Sequence, residues 1–276
     1  MLEKEAFKNP QFLQNCKTTK LEKLKQFGLI GKNISYSFSK KHFTKKFSEE
    51  LFSDCSYENF NIDTIEEFPS LLQKNPDLKG LNVTIPYKVA IIPYLDSLSN
   101  KANQIGAVNV IRFTKKGKLK GCNSDWYGFK KSLQPLLKEH HKKALILGTG
   151  GASKAVAFAL EQLDIYCTFA SRETSDSSVS ELAKQKTIDY SLINATTFDN
   201  FQIIINCTPL GTSPNVKEYP PIPYEFFTSK HIAFDLVYNP DVTEFLKRAK
   251  KKGAIIKNGR EMLVFQAEKA WKIWNK

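Results

Sequence analysis

Short apolar runs alternate along the chain with longer stretches of helical spacing, and glycines or prolines mark most of the changes. The run 26–31 (QFGLIG) reads as a buried strand closed by a glycine, and 32–39 as a polar loop with Ser35, Ser37 and Ser39 at alternate positions. Residues 40–52 place Phe43, Phe47, Leu51 and Phe52 at helical spacing, which predicts a core-facing stripe. A second strand over 57–62 and a helix over 64–74, with Thr64 as its N-cap, come next. A third strand over 80–85 runs straight into Pro86-Tyr87-Lys88. A helix is predicted over 96–104, then strands over 107–113 and 118–122 that form a hairpin at Lys116-Gly117. The first half is therefore an α/β unit.

Asn123-Ser124-Asp125 caps a predicted helix over 126–138, the bridge to a second unit. That unit alternates strand 144–147, helix 152–163, strand 165–170, helix 177–186, strands 201–206 and 231–236, helix 242–252 and strand 254–256. Such alternation predicts a parallel, doubly wound sheet. A final helix over 261–274 carries Met262, Phe265 and Trp271 and is able to pack on either unit.

The run 144–147 is apolar without a break, the pattern of a strand buried on both faces. Gly148, Gly150 and Gly151 then turn the chain before a helix that opens at Ala152. Strand, glycine turn and helix present free backbone N–H groups and a positive dipole end, which suits a diphosphate. The first two glycines match the dinucleotide fingerprint, while Ser153 occupies its third glycine place. A merely structural tight turn is the alternative; the strand over 165–170 favours the dinucleotide reading by completing the βαβ unit.

A formal charge of +13 invites a nucleic-acid reading, but the excess is almost all lysine, spread in short clusters. Arg112, Arg172, Arg248 and Arg260 are the only arginines, and no aromatics interleave with a basic stripe. Nucleic acid is therefore not expected as a partner; anionic small molecules are. Five scattered cysteines without C-x-x-C spacing suggest a reduced, cytoplasmic setting and no zinc site. The four histidines have no metal-ligand spacing, so no metal is expected. No apolar run is long enough to span a membrane, and residues 1–26 read as an extension without a secretory signal.

Several separated stretches resemble the shikimate dehydrogenase family. They are Ser37-Phe-Ser39, Asn82-Val-Thr-Ile-Pro-Tyr-Lys88, Gly106-Ala-Val-Asn109, Asn123-Ser-Asp125, Gly148-Thr-Gly-Gly-Ala-Ser153, Asn206-Cys-Thr208 and Gly259-Arg-Glu-Met-Leu-Val-Phe-Gln266. They stand in family order across about residues 27–276. The resemblance implies an α/β substrate domain over 27–125, a Rossmann-type NADP domain over 126–258, and a last helix, 259–276, returning to the first domain. It implies reduction of 3-dehydroshikimate to shikimate, with Lys88 and Asp125 catalytic at one substrate hydroxyl. An ammonium beside a ketone that accepts hydride stabilises the growing negative charge and then protonates it. On the residues alone, Asp125 is equally a helix-cap acid.

By the same resemblance Ser37 and Ser39 clamp the substrate carboxylate, joined by Tyr238, and Thr84, Asn109 and Gln266 bind ring hydroxyls. Asn109 is also able simply to hold its loop together. Phe38 and Lys40 depart from the family pattern, which has a small polar or basic residue between the serines and a proline after them. Gly148, Gly150, Gly151 and Ala152 are expected at the dinucleotide, with Thr208 and Gly259 at its nicotinamide end. Ser171-Arg172-Glu173 follows the second strand of the nucleotide unit: Arg172 favours a 2′-phosphate and hence NADP, while Glu173 leaves NAD open. A quinate dehydrogenase using NAD, and a ligand sensor that has lost the chemistry, are the competing readings. The expected partner is a small-molecule substrate, and the chain is expected to be a monomer or homodimer.

Overall fold

The computed structural model describes residues 24–34, 37–172 and 187–276. The first half folds as β1 (Lys25–Gly31), α1 (Phe38–Glu49), β2 (Cys55–Asn61), α2 (Phe68–Lys74), β3 (Leu78–Val83), β4 (Ser97–Leu98), α3 (Asn100–Ile105), β5 (Val110–Phe113) and β6 (Leu119–Cys122). The sheet order is β2-β1-β3-β5-β6-β4. β2, β1 and β3 run parallel, β5 is antiparallel to both β3 and β6, and β4 is parallel to β6.

The second half continues with α4 (Asp125–Leu133), β7 (Lys143–Leu147), α5 (Gly151–Glu161), β8 (Tyr166–Ser171), β9 (Thr187–Asp189), α6 (Ala195–Asn200), β10 (Ile203–Asn206), β11 (Ile232–Asp235), α7 (Glu244–Lys251), β12 (Ile255–Lys257) and α8 (Arg260–Trp274). Its sheet, β12-β11-β10-β7-β8-β9, is parallel throughout. That is the doubly wound order, with the switch point between β7 and β10. β7 shows why its sequence is uniformly apolar. Ala144 and Ile146 pack with Phe129 and Val156 on one face, and Leu145 and Leu147 with Phe198 and Phe245 on the other.

The first sheet is also covered twice. Phe27 and Leu29 meet Phe43, Phe47 and Trp274 on one face, and Ile30, Leu81 and Ile111 meet Phe68 and Leu71 on the other. α8 reaches both halves of the molecule. Met262 lies in the core beside Phe129 and Leu133, while the Trp274 indole donates to the Ile111 carbonyl at 3.1 Å. Gly80 makes room for that indole, since a Cβ there would fall 2.3 Å from Trp274 Cδ1.

Local differences from the sequence expectation have physical causes. α1 stops at Glu49, and Leu51, with φ +57°, is 86% exposed rather than part of the core stripe. The helix expected over 96–104 begins only at Asn100, because Ser99 accepts from the Ala102 amide as N-cap; Ser97–Leu98 pairs with β6 instead. α4 ends at Leu133, and a 3-10 turn, Gln134–Leu136, containing Pro135 follows. β4, β9 and α6 are too short and polar to show a period and were not expected. The helix expected over 177–186 lies outside the described residues, as does nearly all of the 1–26 extension. Among the described residues no helix is long and apolar enough to cross a membrane.

Candidate active site

A cavity of about 300 Å³ opens beyond the carboxyl ends of β1 and β3. Lys88 enters it from the segment after β3. That segment is pinned by the buried Tyr87, whose hydroxyl donates to the Ile62 carbonyl at 2.9 Å, and by the Val108 amide, which donates to the Lys88 carbonyl at 2.7 Å. The Lys88 side chain is 16% exposed, and its Nζ lies 2.7 Å from Asp125 Oδ2.

Asp125 is the first residue of α4, yet it is not the cap. Asn123 Oδ1 accepts from the amides of Asp125 at 3.0 Å and Trp126 at 3.4 Å. The Asp125 carboxylate is thereby left to face the cavity, at the positive end of a helix that favours its charge. Its second oxygen accepts from Asn109 Nδ2 at 2.8 Å. Asn109 Oδ1 in turn accepts from the Ser124 amide at 2.6 Å, and Gln266 Oε1 lies 3.3 Å from both Asn109 Nδ2 and Ser124 Oγ. Gln266 comes from α8, so the last helix supplies part of this network. Asn82, also buried, accepts from the Tyr57 hydroxyl at 2.8 Å and donates to the Asn109 carbonyl, which fixes the loop carrying Asn109.

The far end of the cavity is made by the start of α1. Ser37 is its N-cap and accepts from the Ser39 amide at 3.1 Å, leaving its own proton free to donate. Ser39 is buried beside Tyr57, whose phenol burial pushes well up. Thr84 and Tyr238 also line the cavity, the latter from the segment after β11. Burial raises the Tyr238 phenol, against a hydrogen bond to the Phe38 backbone.

On the other side of Lys88 stands the glycine turn after β7. Gly148 adopts φ +101°, a region side chains avoid, and a Cβ there would come 3.1 Å from Thr208 Cγ2. Gly150 is the N-cap of α5, with open space where a Cβ would point. Gly151 and Ala152 form the first turn, and a Cβ on Gly151 would lie 3.1 Å from Lys88 Cβ. The free amides of α5 therefore begin beside the lysine stem. Ser153, in the third glycine place of the fingerprint, is fully buried beside Cys207.

Thr208 is held by Asn206, whose Oδ1 accepts from its amide at 3.0 Å and its hydroxyl at 2.6 Å. Asn206 donates to the buried Asp235 at 3.0 Å. Gly259 donates to the Val237 carbonyl, and its backbone runs so close that a Cβ would sit 2.1 Å from the Leu236 carbonyl oxygen. Ser171 ends β8 and pairs with Asp189; the exposed Arg172 follows, with Tyr190 nearby. Glu173 lies outside the described residues.

Residues 29–111 match the family model described as the shikimate dehydrogenase substrate binding domain. The shikimate dehydrogenase (NADP(+)) of Clostridium botulinum is 39% identical over 254 residues, covering 90% of this chain and 95% of that protein. The chain belongs to the shikimate dehydrogenase family. The shikimate dehydrogenase of Aquifex aeolicus superposes with a TM-score of 0.81 at 32% identity, over 91% of this chain and 92% of that one. The Thermus thermophilus member, solved with NADP(H) and shikimate, gives 0.80 at 30% identity, over 91% and 93%.

Within this shikimate dehydrogenase fold, Ser37, Ser39, Thr84, Lys88, Asn109, Asp125, Tyr238 and Gln266 border one cavity. Gly148, Gly150, Gly151 and Thr208 group at the carboxyl ends of β7 and β10, and Arg172 stands at that of β8. Sequence reasoning missed three contributors. Phe38 lines the cavity, Ser124 ties Asn109 to Gln266, and Asp235 anchors Asn206. Asp235 left a local trace as an acid closing an apolar strand, and Phe38 left one as a departure from the family pattern.

Proposed function

We propose that this protein is an NADP-dependent shikimate dehydrogenase that reversibly reduces 3-dehydroshikimate to shikimate. The observation carrying this reading is the Lys88–Asp125 pair, 2.7 Å apart, at the floor of the cavity and beside the first turn of α5. Ser37 and Ser39, with Tyr238, take the substrate carboxylate, while Thr84, Asn109 and Gln266 take ring hydroxyls. As the ketone becomes an alkoxide, the Lys88 ammonium donates to that oxygen, stabilises its charge and transfers a proton. In the oxidative direction the neutral amine takes the proton back. Asp125 holds Nζ in place and accepts from the same hydroxyl, and Asn109 keeps the carboxylate from turning.

The nucleotide fits the second sheet. The positive φ of Gly148, the open space at Gly150 and the free amides of α5 suit its diphosphate. Arg172 is placed to take a 2′-phosphate, and Thr208 and Gly259 to border the nicotinamide end. NADPH, when bound, supplies the hydride. In this proposal residues 27–125 with 259–276 form the substrate domain and 126–258 the NADP domain, and the enzyme works in the cytoplasm. The test is a steady-state assay of the purified protein with shikimate and quinate, each against NADP and NAD. Shikimate with NADP is expected to give the highest kcat/KM. No turnover of shikimate, or preferred turnover of quinate with NAD, overturns the proposal.

A further inference from the structure

The cavity lining mixes polar groups with aliphatic ones such as Ile34, Val83 and Leu263, and at its serine end it carries an aromatic ring. Phe38 lies between Ser37 and Ser39 and lines the space they face. Its ring is not free to swing. It stacks on His42, four residues on along α1, with centroids 5.6 Å apart at 22°. His42 Nε2 is 2.9 Å from Glu268 Oε1 on α8, and the other Glu268 oxygen takes Lys46 Nζ at 2.9 Å. From the second half of the molecule Tyr238 meets the same ring edge-on, at 6.0 Å and 69°. The ring is thus gripped by α1, by α8 through His42, and by the segment after β11.

A carboxylate held by the serine hydroxyls puts the carbon that bears it against this ring. In shikimate that carbon is part of a double bond and carries no hydroxyl, so a flat, apolar edge meets the ring. In quinate the same carbon is tetrahedral and carries a hydroxyl, a donor and acceptor that an aromatic wall leaves unpaired. Burying an unpaired hydroxyl is unfavourable, and a hydrophobic wall rejects an added hydroxyl by about 100-fold at most. We propose that Phe38 is the specificity-determining residue of this cavity, admitting a ring whose carboxylate-bearing carbon has no hydroxyl and penalising one that has. This rests on the function proposed above.

The test compares wild type with Phe38→Ser and Phe38→Leu, with shikimate and quinate as substrates and NADP as cofactor. Quinate is also scored as an inhibitor of shikimate oxidation, so a ratio is obtained even where its turnover is slow. The ratio within one preparation does not depend on the fraction of protein folded. Phe38→Ser is expected to narrow the shikimate preference roughly tenfold. Phe38→Leu, which keeps an apolar wall, is expected to hold the ratio within about threefold. An unchanged ratio in Phe38→Ser overturns the proposal, as does equal narrowing in Phe38→Leu. A wild type that turns over no shikimate instead refutes the proposed function, so the two failures are distinguishable.

Discussion

Lys88→Met removes the ammonium and keeps an unbranched apolar stem. That stem matters, because Lys88 Cβ and Cδ border Gly151 at the start of α5, and a shorter residue would open a gap there. The substitution leaves Asp125 without its ion-pair partner at 2.7 Å, yet the carboxylate keeps the Asn109 Nδ2 hydrogen bond at 2.8 Å and the helix N-terminus. The ground-state site therefore survives, and the loss falls on the charge and proton that only the transition state needs. General acid catalysis is worth about 100- to 10,000-fold, or roughly 3–5 kcal/mol of activation free energy. A drop in kcat of that size is expected, with shikimate affinity from calorimetric titration changed by less than about tenfold. Turnover within tenfold of wild type would show that another group protonates the oxygen. A large loss confined to affinity would make Lys88 a binding residue only.

Arg172→Ala is expected to raise the KM for NADP roughly 10- to 100-fold, the range of a lost charge-assisted hydrogen bond, and to leave NAD nearly unchanged. Equal losses for both cofactors in steady-state kinetics would refute the 2′-phosphate assignment. Gly259→Ala forces a Cβ to within 2.1 Å of the Leu236 carbonyl oxygen, a backbone atom with no side-chain freedom to move aside. At least about 1–3 kcal/mol of destabilisation is expected, and an unchanged melting temperature would contradict it. Burial raises Asp235 from 3.8 to about 7, despite hydrogen bonds from Thr243, Val237 and Asn206. The native state then holds a proton that the unfolded chain releases, so this contribution to stability is full below about 3.8 and is lost as pH rises through about 7. Its neighbours Cys207 and Tyr224 are pushed up by burial and stay neutral in that window. Asp235→Asn is expected to flatten the pH dependence of the urea midpoint there, a group effect on the order of 4 kcal/mol. Parallel curves for both proteins would contradict it.

The parts of the fold legible in the sequence are those whose surroundings are uniform along the element. β7 is buried on both faces and reads as an unbroken apolar run, and the β5–β6 hairpin announces itself through Gly117, which takes φ +73°. Where the surroundings change within a few residues the pattern misleads. Leu51 keeps the helical spacing of Phe43 and Phe47, but the helix has already ended and the side chain points to solvent. β9 is a short strand of intermediate burial with no period to detect.

The chemistry was legible as residue types and not as partners. Composition leaves Asp125 as either a cap or an acid at the site; only the geometry shows that Asn123 Oδ1 accepts from the first amides of α4 while Asp125 lines the cavity. Gly80 and Gly259 carry no local signal of the backbone and indole that press on them, because those neighbours are distant in sequence. Phe38 stood out only as a departure from a pattern, and its place in the cavity depends on Tyr238 and His42, contacts between elements that no spacing reveals.

A crystal structure of the protein soaked with shikimate tests the placement of the chemistry most directly. The hydroxyl oxygen at the reacting carbon is expected within hydrogen-bond distance, about 2.6–3.2 Å, of both Lys88 Nζ and an Asp125 carboxylate oxygen, with the carboxylate at Ser37 and Ser39. A ring bound the other way round, with its carboxylate on Lys88, would contradict it.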